Sequence, residues 1–397
     1  MDFKNTTKEA VELLKRLIAT PSVSREEKDA ADIIEDYLKE KGCNPERHGN
    51  NVWAKSLNFD ESVPAILLNA HIDTVKPVAG WTHDPFKPEI EIISECGENA
   101  DAESQTEKVS EDAPSDTSTD NDSSSAKDNA EGTGKVESSS ADEKLFGLGS
   151  NDCGGGLMAL LQVFLLLRES NPNLIYLASC EEEVSGKNGI ESVLPLLPPV
   201  EFAIVGEPTG MQPAIAEKGL MVVDAVAKGQ SGHAARDEGV NAIYEAIDDI
   251  QKIQTNHLRK QSPLLGPVKM TVTMISAGTQ HNVIPDECRF TIDIRSNECY
   301  TNEELFAMLQ KHLKSELKAR SFRLNSSSIS TDHPFVRKCV ERGMVPFGSP
   351  TLSDQALMPF PSLKLGPGQS SRSHTADEFI LVSEIENAVR TYYELLQ

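Results

Sequence analysis

Three short apolar runs, each ending on acidic or imidazole side chains, constrain this chain more than any other feature. Residues 63–70 lead into His71-Ile72-Asp73, residues 174–178 into Ser179-Cys180-Glu181-Glu182-Glu183, and residues 202–205 into Gly206-Glu207-Pro208-Thr209. Runs of this length suit strands buried on both faces. Strands that alternate with helical patterns point to a mainly parallel α/β sheet. Ligands bind at the C-terminal strand ends of such a sheet, so the three clusters are expected to converge there.

The rest of the chain fits around that sheet. Residues 7–41 carry apolar positions at helical spacing, broken at Thr20-Pro21-Ser22, which predicts two helices. The Gly-rich run 147–156 leads into an apolar helix from Leu157 to about Glu169. After Gly210 the character changes: residues 212–228 and 268–295 alternate like strands, and 239–253 and 302–319 read as helices. That order predicts a smaller α+β, ferredoxin-like domain inserted in the first. From about Ser326 the chain returns to the larger domain, carrying His374 close to a C-terminal helix over 383–396. The larger domain is thus expected to be discontinuous, 1–209 with 326–397, and the smaller one to span 210–325.

Charge is unevenly spread. The 397 residues sum to −24, and residues 95–143 hold fifteen acidic and three basic residues, so half of the excess lies in one segment. Residues 95–142 lack aromatic side chains and periodicity. They cannot bury enough apolar surface to offset chain entropy and are expected to be disordered. Their flanks, Ile92-Ile93 and Leu145-Phe146, read as two strands of a hairpin whose turn has been expanded. Lengthening a surface loop costs only about 0.6 kcal/mol per doubling. The acidic balance argues against nucleic acid or an anionic membrane surface as a partner. Residues 157–167, the longest apolar stretch, are too few to span a bilayer. Seven cysteines without paired short spacings, and a polar N-terminus without a signal pattern, predict a cytosolic protein.

The residues at the strand ends suit metal chemistry. His71 offers an imidazole, and Asp73, two residues on, is placed to hold its other ring nitrogen. Asp152 sits in a Gly-rich turn, a carboxylate suited to bridging two cations. Adjacent Glu182 and Glu183 can divide proton transfer and metal binding, and Glu207 and His374 complete an N/O set appropriate to zinc. Taken singly, a His-x-Asp pair also suits a surface ion pair, a Glu triplet a solvated helix end, and a Gly-rich turn a plain strand-to-helix connection. Their order and placement favour the metal reading.

Seven motifs carry a resemblance over essentially the whole chain outside the acidic segment. They are His71-Ile72-Asp73-Thr74-Val75, Gly149-Ser150-Asn151-Asp152-Cys153-Gly154-Gly155, Glu181-Glu182-Glu183-Val184, Gly206-Glu207-Pro208-Thr209, Ser231-Gly232-His233, Asn282-Val283-Ile284-Pro285, and Gly366-Pro367-Gly368 with His374-Thr375-Ala376-Asp377-Glu378. In these the chain resembles the co-catalytic zinc family of acetylornithine deacetylase, succinyldiaminopimelate desuccinylase, aminoacylase and carboxypeptidase-type enzymes. The resemblance implies a zinc-peptidase-like, mainly parallel mixed sheet flanked by helices, with a lid and dimerisation domain. It also implies two zinc ions, with cobalt or manganese as alternatives in one site: His71 and Glu207 on one, Glu183 and His374 on the other, Asp152 bridging. Asp73 would orient His71, Glu182 would shuttle the proton from water to the leaving amine, and His233 would stabilise the oxyanion, often across a homodimer. An ordinary loop histidine is an equal reading of His233. Cys153, which differs from many relatives, reads as a buried thiol because the ligand set is full without it.

Asn282 and Arg295 fall where relatives contact the substrate carboxylate, and Arg372 lies in the loop that closes the site. Arg295 also suits a strand-end surface residue, and the loop a role in positioning His374 alone. The segment from Ser349 to Phe379 is most similar to the acetylornithine-deacetylase-like branch, which implies deacylation of N-acetyl- or N-succinyl-ornithine or citrulline in arginine synthesis. Ala356 stands where lysine-pathway desuccinylases carry Arg, so that substrate is less favoured. A zinc exopeptidase is the enzyme alternative. A non-catalytic binding protein would be expected to lack ligands or the base, and neither is missing.

Overall fold

A computed structural model of the chain describes residues 2–93, 142–171, 173–236, 238–255 and 258–397. The stretch expected to be disordered lies outside these residues, apart from Asp142. The larger of the two main sheets has nine strands, and its middle runs in the order Asn51–Lys55, Leu174–Ser179, Ala65–His71, Val200–Val205, Ser362–Lys364. Ala65–His71 pairs in parallel with Leu174–Ser179 on one side and Val200–Val205 on the other, and Ser362–Lys364 continues in parallel. Asn51–Lys55 runs antiparallel to its neighbour, which makes the sheet mixed. In this register His71 stands opposite Ser179 and Asn69 opposite Val205. The chain therefore leaves all three strands at one edge, and the three polar clusters emerge together.

All six residues of Leu174–Ser179 are buried, as expected of a strand covered on both faces. On one face Leu68, Ala70, Tyr176 and Ile204 pack with side chains of the helices Phe3–Ile18, Lys28–Glu40, Gly155–Leu167 and Val382–Leu396. On the other, Leu67, Ile175, Leu177 and Ala203 pack with Ile190, Val193 and Met358. The stretch Ser150–Leu167 is long and apolar enough to cross a membrane, but 83% of it is buried inside this fold. Its first turn presses on the sheet: a Cβ at Gly156 would lie 1.7 Å from the carbonyl oxygen of Gly206. Glycine at 156 permits that approach, which brings the Asp152 turn beside Glu207.

A three-stranded sheet joins Glu89–Ile93, Asp142–Phe146 and Phe379–Leu381. Ile93 pairs with Asp142, so the flanks of the acidic segment are hairpin partners as expected. The third strand ties the His374 segment to this hairpin.

The smaller sheet is fully antiparallel, in the order Lys269–Ala277, Glu287–Arg295, Met221–Lys228, Glu316–Ala319. The helices Ala242–Thr255 and Asn302–His312 contribute to the core on one of its faces, with Ala246, Ile253, Leu305 and Leu309 against Val223, Ala225 and Ile292. The helix expected over 302–319 stops at His312. Leu313 turns extended, and the Asp249 carboxylate accepts the amides of Lys314 and Ser315, which frees Glu316–Ala319 to become a fourth strand. The strand pattern expected over 212–228 also divides. Ala214–Glu217, buried throughout, belongs to the large sheet, while Met221–Lys228, with alternating burial, belongs to the small one.

Candidate metal centre

The strand-end loops place Asp152, Glu182, Glu183, Glu207 and His374 around one cavity of about 370 Å³, with His71 behind them. Asp152 lies at the middle: Oδ1 is 3.3 Å from His71 Nε2, and Oδ2 is 3.7 Å from His374 Nε2. Glu207 Oε1 is 3.8 Å from His71 Nε2, and Glu183 Oε2 is 3.0 Å from His374 Nε2. Glu182 Oε2 reaches 4.0 Å from His71 Nε2. The five side chains expected to hold metal and the one expected to move the proton thus come together from separate segments.

Each is held by the backbone around it. His71 Nδ1 bonds the carbonyl of Asp73 at 2.8 Å, which fixes the proton there and turns Nε2 toward the carboxylates. The Asp73 carboxylate, expected to take that bond, stands 3.6 Å from Nδ1 and instead accepts the amides of Glu182 and Glu183 at 3.0 and 3.1 Å. The Ser24 hydroxyl donates to it as well, at 2.7 Å. Asp73 therefore binds the acidic loop to the end of the first strand. Glu378 does the same for Asp152, accepting the amides of Gly149, Asn151 and Asp152 at 3.1, 2.9 and 2.8 Å. Its sequence signal is only its adjacency to Asp377 in the last motif. Glu181 (φ 55°) and His374 (φ 58°) occupy the left-handed region, strain that their surroundings must hold in place.

Four carboxylates with two imidazoles make a strongly negative centre. Burial pushes Glu182 well above the usual carboxylate range, with repulsion from Glu207, Asp354 and Glu183 adding to it. Burial and Asp152 push Glu207 up to about 8. The hydrogen bond to Glu183 lifts His374 to about 9. At His71 burial opposes the charge, but Cys153, Asp152 and Glu182 outweigh it and raise the pKa well above the ordinary value. Glu207 Oε1 is buried without a hydrogen-bond partner. Ionised, the four carboxylates carry the charge of two divalent cations, and the oxygen and nitrogen donors suit zinc or its neighbours. The donor set fits a two-metal centre.

Other expected residues lie elsewhere. His233, in the two-stranded ribbon Gly232–His233 with Val283–Ile284, is exposed, and the neighbouring Asn282 accepts the amide of Ala234 at 3.0 Å. Arg295 pairs with Asp293 through bonds of 2.9 and 3.2 Å. Arg372 binds Glu384 at 2.8 Å and lies over the Phe379 ring. None of these four lines the cavity. Lys364 does line it, buried and 3.1 Å from Glu217; a single lysine closing the short strand Ser362–Lys364 gives no pattern from which that pairing could be read. A larger hollow, about 710 Å³, lies on the small sheet beside Asp224 and Arg320 and shares no residue with the centre.

Comparison with known proteins agrees with this geometry. Residues 215–321 match the peptidase dimerisation domain. Over 95% of its length the chain is 27% identical to acetylornithine deacetylase of Proteus mirabilis, covering 93% of that protein. It is 24% identical to succinyl-diaminopimelate desuccinylase of a Wolbachia from Culex pipiens, over 76% of this chain and 68% of that one. The fold is that of a dinuclear metal-binding peptidase of the M20 family from Bacillus subtilis, with a TM-score of 0.63, 16% identity, and coverage of 99% and 98%. Together with the fold and the dimerisation-domain match, these likenesses support an enzyme that hydrolyses amides with the help of metal ions.

Proposed function

We propose that the protein is a two-metal deacylase of N-acyl amino acids, acting on N-acetylornithine or on a close analogue, N-acetyl- or N-succinyl-ornithine or -citrulline, in arginine synthesis. The observation that carries the two-metal reading is Asp152, whose two oxygens each lie near a different imidazole, at 3.3 and 3.7 Å. In this reading His71 and Glu207 hold one cation, Glu183 and His374 the other, and Asp152 is shared. Bound zinc would polarise the scissile carbonyl and lower the pKa of water between the ions. Cobalt or manganese can replace it in one site.

Glu182 points into the same cavity and is the general base. It takes a proton from water and delivers it to the departing amine. Asp73 keeps the Glu182 backbone in place through its amide. Likeness to acetylornithine deacetylase over nearly the whole chain favours the N-acylornithine substrates. An exopeptidase on the same centre is the second reading, favoured by the peptidase fold.

The protein acts as a homodimer through its small domain. Lys269–Ala277 is an edge strand there, and its Met274 and Ile275 are 64% and 56% exposed. The exposed His233 ribbon would then serve the oxyanion of the partner's site, and Asn282, Arg295 and Arg372 are the candidates to bind the substrate carboxylate. The free cysteines 43, 153, 180, 288, 299 and 339 suit a reducing, cytoplasmic compartment. Release of acetate or succinate from the four ornithine and citrulline derivatives, beside a small dipeptide panel, tests the substrate. Chelator-sensitive hydrolysis of the acyl derivatives is expected; hydrolysis of the dipeptides alone would replace this reading with the exopeptidase.

A further inference from the structure

The His71 end of the centre has one more donor than the reading above uses. Cys153 Sγ, a ring nitrogen of His71 and a carboxylate oxygen of Glu207 lie within 4.8 Å of one another. Cys153 is 2% exposed, and its sulfur accepts the backbone N–H of His71 at 3.3 Å, a bond that fixes it at the His71 end of the centre. His71 Nδ1 is occupied by the Asp73 carbonyl, which leaves Nε2 as the free donor, and Glu207 Oε1 is buried without a partner. A tetrahedral ion with bonds of about 2.0 Å to nitrogen or oxygen and about 2.3 Å to sulfur has edges of roughly 3.3–3.5 Å. The three donors need draw together by no more than about 1.5 Å to meet it.

We propose that Cys153 is a further ligand to the metal held by His71 and Glu207. This rests on the two-metal reading and makes the two halves of the centre unequal. The metal displaces the thiol proton to solvent and binds a sulfur, a nitrogen and carboxylate oxygens. The other half, Glu183 with His374, offers only oxygen and nitrogen. The sulfur-bearing half fills first and prefers zinc, cadmium or cobalt, while the other half accepts harder ions such as manganese.

Cobalt titration of the metal-free, full-length protein tests this. A sulfur-to-cobalt charge-transfer band in the near ultraviolet should grow with the first equivalent and be absent from Cys153→Ser, while the visible cobalt bands remain in both. The first-equivalent affinity of Cys153→Ser should fall at least about tenfold. Visible bands without the charge-transfer band in the natural protein, or a charge-transfer band that survives Cys153→Ser, would overturn the proposal and leave two metals standing. No cobalt binding at all would overturn both. Cadmium NMR of the unsubstituted protein reads the same point without a variant. One resonance shifted downfield by sulfur and one from oxygen and nitrogen ligands are expected; two of the latter kind would sink the assignment.

Discussion

The carboxylate of Asp73 accepts the backbone amide of Glu182 at 3.0 Å, so the residue two places after a candidate metal ligand holds the candidate base. The same carboxylate takes the Glu183 amide and the Ser24 hydroxyl, and it is buried. Removing it leaves two backbone donors without an acceptor, which costs about 1–3 kcal/mol for each buried group so exposed. Asp73→Ala should lower the thermal midpoint and reduce kcat or metal affinity about 10–100-fold, as loss of an outer support commonly does. Asp73→Asn keeps one oxygen acceptor and should recover part of both. Melting curves and metal content for the two variants decide it, and equal behaviour of Ala and Asn would contradict the account.

Glu182→Gln separates proton transfer from metal binding. The side chain keeps its shape and loses its basicity, while its backbone amide still reaches Asp73. General-base removal typically costs about 10²–10⁴ in rate. We expect kcat to fall by that much with two metal ions per chain retained, measured by elemental analysis on the same sample. Full activity would move the base elsewhere, with Glu181 excluded by its bond from Asn188 at 2.8 Å and its burial.

Much of this was legible in the sequence because the decisive strands are short and wholly apolar, and each ends on its functional residue. His71, Glu183 and Glu207 could be placed at one edge for that reason. Asp73 was legible as a supporting residue, but not which of its groups does what: the carbonyl takes His71, and the carboxylate takes the loop. That choice depends on how the acidic loop folds back, a contact between residues 109 positions apart. The role of Glu378 is hidden in the sequence for the same reason, since its three amide donors lie more than 220 positions away. The strand Glu316–Ala319 was missed because its alternation is too short to separate from the end of a helix, and the break is set by Asp249 from another element.

Stripping the metals should reverse the usual pH preference of the fold. In the metal-free protein burial holds Asp354 up to about 7 and Glu207 up to about 8, and Glu183 holds His374 up to about 9. All three bind protons more tightly folded than unfolded. The raised carboxyl groups therefore cost stability as pH climbs out of the ordinary carboxylate range through about 7 to 8. The His374 contribution, complete below its ordinary value, is lost through about 9. The thermal midpoint of chelator-treated protein should fall between about pH 6 and pH 9. Added zinc should flatten or invert that slope, because ligands must lose protons to bind it. A metal-free midpoint that rises over the same range would show that the centre does not control the balance.

The acidic segment should be dispensable for chemistry. Its flanking strands pair directly, Ile93 with Asp142 and Glu89 with Phe146, and the second strand is also tied to Phe379–Leu381. Deleting residues 97–141 leaves three residues to join Ile93 to Asp142, a length that hairpins close readily. Shortening the loop also lowers its closure entropy, although only by about 0.6 kcal/mol per halving. The shortened protein should keep its kcat and two metals, and melt within a few degrees of the full chain. The deletion removes twelve acidic and three basic residues, so any electrostatic contribution would appear as a KM change that vanishes with added salt. Loss of kcat on deletion would instead assign the segment a part in the active site.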